Sequence, residues 1–378
     1  MISYIRWTFK IFLFKIMSLF PINSKKIVVS NFNGKNYGGE GKIIVDALLR
    51  ERCDCDVFWL CNDLKAKVPN GVHLVSNLGF AQIYHLATAK IWIDNRRKDL
   101  YVRKRKGQYY IQTWHSSICL KKIERDAIQT LSKAYISSAL QDSKMIDLFV
   151  SGSEWRTNNI LNSFWYSGNV FKCNLYIEKK EENSFLKKKA DVHDFYKLDD
   201  RKKILLYAPT FRKNKSFEYY DVDYALLKTY LSEKFGGDWV IIVRFHSAMD
   251  LSMDPTSYSK DLLNGSIYPQ INDLIVASDF FMTDYSSTIF EGFRLKKKVI
   301  VYASDYHSYM KDDRGVYFDI KELPSLFAEN MEDLKKVIFN FDEKKYNDKV
   351  NAFGGRIGYY ENCLVDKLIE KIRDVLSS

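Results

Sequence analysis

Proline is scarce in this 378-residue chain, with six in all, and its 17 glycines do not gather into a tract. No segment is dominated by Gly, Ser, Pro or Gln, which excludes a repeat array and a low-complexity linker. The six cysteines (Cys53, Cys55, Cys61, Cys119, Cys173 and Cys363) never stand in CxxC spacing. That excludes the usual zinc sites and a small secreted disulfide scaffold; free thiols in a reducing compartment are expected. GxGxxG, the Walker loop, a Cys/His cluster, the zinc finger, the helix-turn-helix and the RNA-recognition strand motif are all missing from the sequence. Neither a metal nor a cofactor is expected, and nucleic acid is not an expected partner.

What the chain does have is apolar mass, 46% of residues, with 15% aromatic, enough to bury the cores of two ordinary domains. Its net charge is +11. The densest basic stretch runs Arg96, Arg97, Lys98 and then Arg103 to Lys106, with Asp99 as its only acid. By charge alone such a stretch suits nucleic acid, an anionic membrane face, a pyrophosphate lipid or a polyphosphate polymer, and equally a solvated loop.

Residues 1–22 contain Arg6, Lys10 and Lys15 and no acid. At helical spacing Ile2, Ile5, Phe9, Phe12, Leu13, Ile16, Leu19 and Phe20 share one face. Lys10 and Lys15 interrupt the run, so a membrane span is not expected, and no small-residue cleavage site precedes Pro21. The pattern predicts an amphipathic helix lying in the plane of an anionic leaflet, or else packed on the protein body.

From Asn23 onward short β-rich runs alternate with helical periodicity, which predicts βαβ units and parallel sheets. A first α/β domain is expected over 23–180 and a second over 200–378. The charged, weakly periodic stretch from Tyr176 to Lys203 is expected to link them, and the tail from Glu361 to Leu376 reads as an amphipathic helix. Two such domains predict a cleft, and open α/β sheets bind ligands beyond the carboxyl ends of their strands.

Polar residues concentrate at those ends. Gln112-Thr113-Trp114-His115-Ser116-Ser117 offers a histidine, the side chain suited to proton transfer near neutrality, although a lone histidine is more often structural. The strand Val240 to Val243 ends in Arg244 and His246, which alternate onto one face and suit an anion. In the third string, 278–288, a buried strand leads through Asp284 to Ser286 and Ser287 at a helix start. Free N–H groups there favour a phosphate, and a plain serine cap is the simpler alternative. Thr210 and Arg212 after one strand, with Asp305 and Arg314 further on, add hydroxyls and charges.

Together these strings resemble the CDP-glycerol glycerophosphotransferases, which prime and polymerise wall teichoic acids and related capsular polymers. The marks are QTWHSS (112–117) with Leu120-Lys121-Lys122, LYAPTFR (206–212), the Arg-x-His strand end, SDFFMTDYSSTIFEGF (278–293), VIVYASD (299–305) and RGVYFD (314–319). The resemblance implies two Rossmann-like domains facing a cleft, of the GT-B kind, and transfer of glycerol phosphate from CDP-glycerol to a hydroxyl of a lipid-linked glycan or polyol-phosphate polymer. CMP would be released, and the enzyme would sit peripherally on the cytoplasmic face of the membrane. It implies His115 as general base and His246 beside the donor pyrophosphate. Thr210, Arg212, Arg244, Asp284, Ser286, Ser287 and Arg314 are implied as donor-binding. CDP-ribitol as donor, and a nucleotide-sugar glycosyltransferase, are the alternatives. Ser116, Ser247 and Lys172-Cys173-Asn174 depart from the family pattern and bear on the acceptor.

Overall fold

The computed structural model describes residues 2–115, 118–175, 182–210, 222–245, 262–312, 315–360 and 365–378. The chain divides into two compact units. The first comprises Met1–Ser117, Ile123–Lys179 and Gly358–Ser378; the second comprises Ile118–Lys122 and Lys180–Ile357.

In the first unit the β-branched and aromatic runs form strands β1 (Asn23–Ser30), β2 (Asp56–Cys61), β3 (Val72–Ser76), β4 (Ala89–Asp94), β5 (Tyr109–Gln112), β6 (Leu148–Ser151) and β7 (Asn169–Lys172). They pair in parallel in the order β3-β2-β1-β4-β5-β6-β7. Helices α1 (Ile2–Met17), α2 (Gly39–Arg50), α3 (Gly79–Thr88), α4 (Lys133–Met145) and α5 (Glu154–Ser163) belong to this unit. Ser132 and Ser153 cap α4 and α5 by accepting from Tyr135 N and Arg156 N. The strand order reverses between β1 and β4, which places the unit's topological switch point there.

Helix α1 forms, but it seats on the body by a stripe the periodicity did not single out. Phe14 and Met17 are buried, and the Lys10 ammonium lies 4.7 Å from the centre of the Tyr101 ring. Phe9, Phe12, Leu19 and Phe20, all on the expected apolar face, stay exposed. Among the described residues no helix is long and apolar enough to cross a membrane.

The second unit holds β8 (Lys203–Tyr207), β9 (Trp239–Val243), β10 (Leu262–Asn264), β11 (Phe280–Thr283), β12 (Lys298–Tyr302) and β13 (Leu326–Ala328), all parallel in the order β10-β9-β8-β11-β12-β13. Its switch point lies between β8 and β11. The accompanying helices are α6 (Glu182–Tyr196), α7 (Tyr224–Phe235), α8 (Ile271–Ala277), α9 (Thr288–Arg294), α10 (Tyr306–Asp312), α11 (Met331–Phe339) and α12 (Glu343–Ile357).

Three expectations change. Most of the supposed linker is helix α6, which buries Val192 and His193 and fixes its end through Tyr196 Oη donating to Asn264 O at 2.9 Å. Its sparse apolar residues were hidden among charges. The final helix, α13 (Val365–Ser377), belongs to the first unit and not the second. There Val365, Leu368, Ile369 and Ile372 join the core of Ile27, Val29, Ile44 and Leu48, because an amphipathic stripe specifies burial but not which sheet receives it. Part of the basic stretch is also tied up internally, while Arg96, Arg103 and Lys106 stay exposed. Arg97 donates to Asp142 and Glu124 at 3.0 Å each, and Lys98 pairs with Asp94. Lys104 pairs with Asp147, and Arg105 donates to the carbonyls of Phe20 and Ala87. Burial raises the Asp142 carboxyl above its ordinary range although Arg97 works against it.

Candidate active site

In the first unit, β5 carries the chain to Gln112, whose Oε1 accepts from Trp114 N at 2.8 Å. Trp114 then takes a left-handed φ of 58°, which turns His115 back beside the end of β4. The His115 ring stacks on Trp114 at 4.4 Å and meets Phe32 at 5.3 Å. Its Nδ1 lies 2.9 Å from Asn95 O. A carbonyl only accepts, so Nδ1 donates to it, and in the neutral ring Nε2 is then the basic nitrogen. Phe32 N donates to Asn95 Oδ1 at 2.8 Å and Asn95 Nδ2 to Asn31 Oδ1 at 2.6 Å, so one residue, Asn95, orients both the imidazole and the ring beside it.

In the second unit the carboxyl ends of β8 and β11 are tied together by Asp284, which is 1% exposed. Its carboxylate accepts from Thr210 N at 2.8 and 3.1 Å, from Thr210 Oγ1, and from Tyr285 N at 2.6 Å. Thr283 Oγ1 donates to Ala208 O at 2.7 Å, a second tie between the same strands. Thr210 and Asp284 are thus each other's partners, and their bonds shape the turn that presents Ser286 and Ser287. Ser286 Oγ accepts from Thr288 N at 3.3 Å and Thr288 Oγ1 at 2.8 Å, while Ser287, the N-cap of α9, makes no side-chain cap bond. Ser287 Oγ accepts from Leu120 N at 3.1 Å.

That last bond belongs to an arrangement in the second unit that joins two of the sequence strings. Residues Ile118–Lys122 lie in this unit, where Lys121 bridges Val316, Lys122 N donates to Gly315 O at 3.0 Å and Tyr317 N to Leu120 O at 2.8 Å. Lys121 Nζ also bonds Tyr309 Oη. The Tyr309 ring stacks on Tyr285 at 3.7 Å, and Tyr285 Oη donates to Asp305 Oδ1 at 2.9 Å. Tyr285 and Tyr309 were not singled out in the sequence, where aromatic residues read as core.

Arg244 is committed differently from the expectation. Its Nη1 donates to Gly265 O at 2.6 Å and Tyr268 O at 2.5 Å, pinning the loop after β10. Burial lowers its pKa from the ordinary value, with the Tyr196 phenol acting the other way. A Cβ on Gly265 would meet Ile242 at 2.9 Å and Arg244 at 3.0 Å, so the loop approaches β9 this closely only with glycine there. Arg212, His246 and Arg314 lie outside the described residues.

Against this geometry the comparisons with known proteins are specific. The profile of the CDP-Glycerol:Poly(glycerophosphate) glycerophosphotransferase family matches residues 12–370. The chain belongs to this family. It is 25% identical over 366 residues to the teichoic acid poly(glycerol phosphate) polymerase of Bacillus spizizenii W23, covering 92% of this chain and 91% of that protein. It is 24% identical to the teichoic acid poly(ribitol-phosphate) polymerase of the same strain, covering 96% of this chain and 58% of that one. It spans about half the length of two further poly(glycerol phosphate) polymerases, from Bacillus subtilis and Staphylococcus epidermidis, at 47% and 49%. A solved structure of the wall teichoic acid polymerase TagF, carrying an H548A substitution, superposes with a TM-score of 0.84 at 23% identity over 100% of this chain and 96% of that one. The glycerophosphotransferase fold, two parallel α/β sheets of GT-B type, is therefore this chain's fold. The second unit's switch point carries two of the polar strings picked from the sequence, at the ends of β8 and β11, while the string at 112–117 follows β5 and turns His115 back to the end of β4.

Proposed function

We propose that this chain transfers glycerol phosphate from CDP-glycerol to a hydroxyl of a lipid-linked or polymeric cell-surface glycan, in teichoic acid or capsule synthesis. The observation that carries the reading is the orientation of His115, whose Nδ1 lies 2.9 Å from the Asn95 carbonyl oxygen. Nε2 takes the proton of the acceptor hydroxyl as that oxygen attacks the phosphorus bearing the glycerol. The new P–O bond forms as the bond to the CMP oxygen breaks, CMP leaves with that electron pair, and the imidazolium returns its proton to solvent. Phosphoryl transfer gains most from positioning and from neutralising oxygens. The Ser286–Ser287 turn, His246, Arg212 and Arg314 serve that end at the donor, while Thr210 and Asp284 hold the turn in place. Arg244 acts through the loop it pins.

Attachment to the cytoplasmic face of the membrane is part of the same proposal. The exposed Phe9, Phe12, Leu19 and Phe20 of the α1 region, beside Lys15, suit an anionic headgroup layer. Similarity to a poly(ribitol-phosphate) polymerase favours CDP-ribitol as the second donor to test.

Purified protein is incubated with radiolabelled CDP-glycerol or CDP-ribitol and lipid-linked acceptors, and products are sized on a gel. Label is expected in acceptor from CDP-glycerol, with equimolar CMP. His115→Ala is expected to lower transfer by roughly 10²–10⁴-fold while donor binding persists. An active His115→Ala enzyme would remove the base assignment. Transfer from CDP-ribitol alone would replace the donor.

A further inference from the structure

We propose that Arg97 is a positioning residue for His115, acting through the Trp114 indole: a guanidinium bonded to two buried carboxylates fixes the ring on which the imidazole stacks. What His115 does in that orientation rests on the proposed transfer reaction; the orientation itself does not.

All the groups concerned lie in the first unit. Trp114 is left-handed at φ 58°, a backbone state that a bulky residue takes only under restraint. Gln112 Oε1 restrains its amide, and side-chain contacts hold its ring, with the residue 5% exposed. The Phe164 ring meets the indole edge-on, 4.7 Å between centres and at 86°. The guanidinium carbon of Arg97 lies 5.7 Å from the centre of the indole and 5.2 Å from that of Phe164, within cation–π reach of both. His115 stacks on the same indole at 4.4 Å and 28°. The indole therefore touches both the buried cation and the imidazole.

Arg97 is itself held from three directions. Nη1 donates to Asp142 Oδ2 at 3.0 Å, and Nη2 to Glu124 Oε2 at 3.0 Å and Phe164 O at 3.2 Å. The carboxylates are fixed in turn, since Lys98 N donates to Asp142 Oδ1 at 3.0 Å and Tyr135 Oη to Glu124 Oε1 at 2.5 Å. Glu124 is also left-handed, at φ 53°, so backbone strain is spent on bringing its carboxylate to the guanidinium. The three charged side chains are at most 6% exposed. Removing them from water offsets most of their mutual attraction, so the triad adds little net stability, and its effect is a fixed geometry. A planar fork can bond both acids while lying against two rings; the point charge of a lysine cannot. Asn95 governs the carbonyl at His115 Nδ1 and, through its amide, the Phe32 ring carried at φ 45°. Arg97 governs the stack.

The test reads ring orientation and turnover separately. Arg97→Met alone leaves Glu124 and Asp142 buried without their cation, so it is combined with Glu124→Gln and Asp142→Asn, whose amide oxygens still accept from Tyr135 Oη and Lys98 N. In the full chain with isotope-labelled histidine, the neutral His115 ring, assigned by the signals lost in His115→Ala, is expected to show one protonated and one bare nitrogen by NMR. In the triple variant those two signals are expected to converge as the ring averages both tautomers. Its kcat should fall roughly tenfold while KM for CDP-glycerol stays in place. Arg97→Lys should fall between the two. On a Trp114→Leu background the same three substitutions should lower kcat no further, because the ring they act through is gone. Wild-type His115 signals and kcat in a triple variant that melts cooperatively, or an undiminished loss on the Trp114→Leu background, overturn the proposal. Should the triple variant not fold, wild-type signals and kcat in Arg97→Lys overturn it equally. Converging signals in a chain that does not consume CDP-glycerol keep the positioning role and remove the proposed reaction.

Discussion

The first strand beyond each switch point runs into a buried aspartate, and the two aspartates do different work. Asp94, the last residue of β4, closes on its own chain, bonding the next two backbone N–H groups and the lysine four residues on. Asp284, just after β11, bonds Tyr285 N and then reaches Thr210, 74 residues away on the neighbouring strand end. One folds a loop that orients His115 through Asn95; the other couples two strands so that a serine turn keeps its place. The same residue type at the same topological position builds a local cradle in one unit and a cross-strand clamp in the other.

Removing the counter-ion is expected to have the largest effect. Asp94→Ala leaves Lys98 buried without its partner and is expected to lower unfolding stability by about 3–5 kcal/mol in urea titration, and Asp94→Ala with Lys98→Met should regain most of it. Stability that stays low in the double variant would show that the cradle's backbone bonds matter more than the ion pair.

Asp284→Ala should instead cost about 2–3 kcal/mol, since it strands the Thr210 and Tyr285 N–H donors, and should reduce transfer at least tenfold. Thr210→Val with Asp284→Asn is expected to restore part of the stability without restoring activity, as judged by paired melting and transfer assays. Recovery of both together would mean the clamp is structural only.

A smaller effect is expected from Tyr285→Phe. It deletes the bond to Asp305 but keeps the stack on Tyr309, and should cost about 1 kcal/mol with a modest rise in donor KM.

Smallest at neutral pH, and growing only in acid, is a pH effect in the first unit. Burial, with help from Lys26, lowers the His85 pKa to about 4 from an ordinary 6.5. Between those values the unfolded chain binds the proton and the folded chain does not, so stability falls as pH drops from 6.5 toward 4. His85→Phe, which keeps a ring against Phe58, should flatten that part of the urea midpoint against pH curve. An unchanged slope would assign the acid sensitivity to carboxylates.

Much of this was legible in advance because its causes are local. Runs such as Ile27-Val28-Val29 and Val57-Phe58-Trp59 have no helical alternative that hides all their apolar groups, so most long strands fell where alternation with helices placed them. β10 and β13, three residues each, carry too little pattern to be seen and exist because a neighbouring strand offers them a ladder. His115, Thr210 and Asp284 were visible as polar groups at strand ends. Phe32 and Asn95 were not, since their roles lie in a left-handed backbone and a carbonyl, which no side-chain inventory reveals. The Asn-rich string at 31–36 was the available signal.

By itself the sequence determined the fold class, the polar strand ends and the family, because periodicity, turn residues and motif order are written within short spans. Only the tertiary structure decided that α13 completes the first unit, that Arg97, Lys98 and Lys104 of the basic stretch pair with carboxylates, and that Arg244 is engaged with carbonyls. Those outcomes depend on which distant groups compete for each charge and each apolar face, and that competition is resolved only when the sheets assemble.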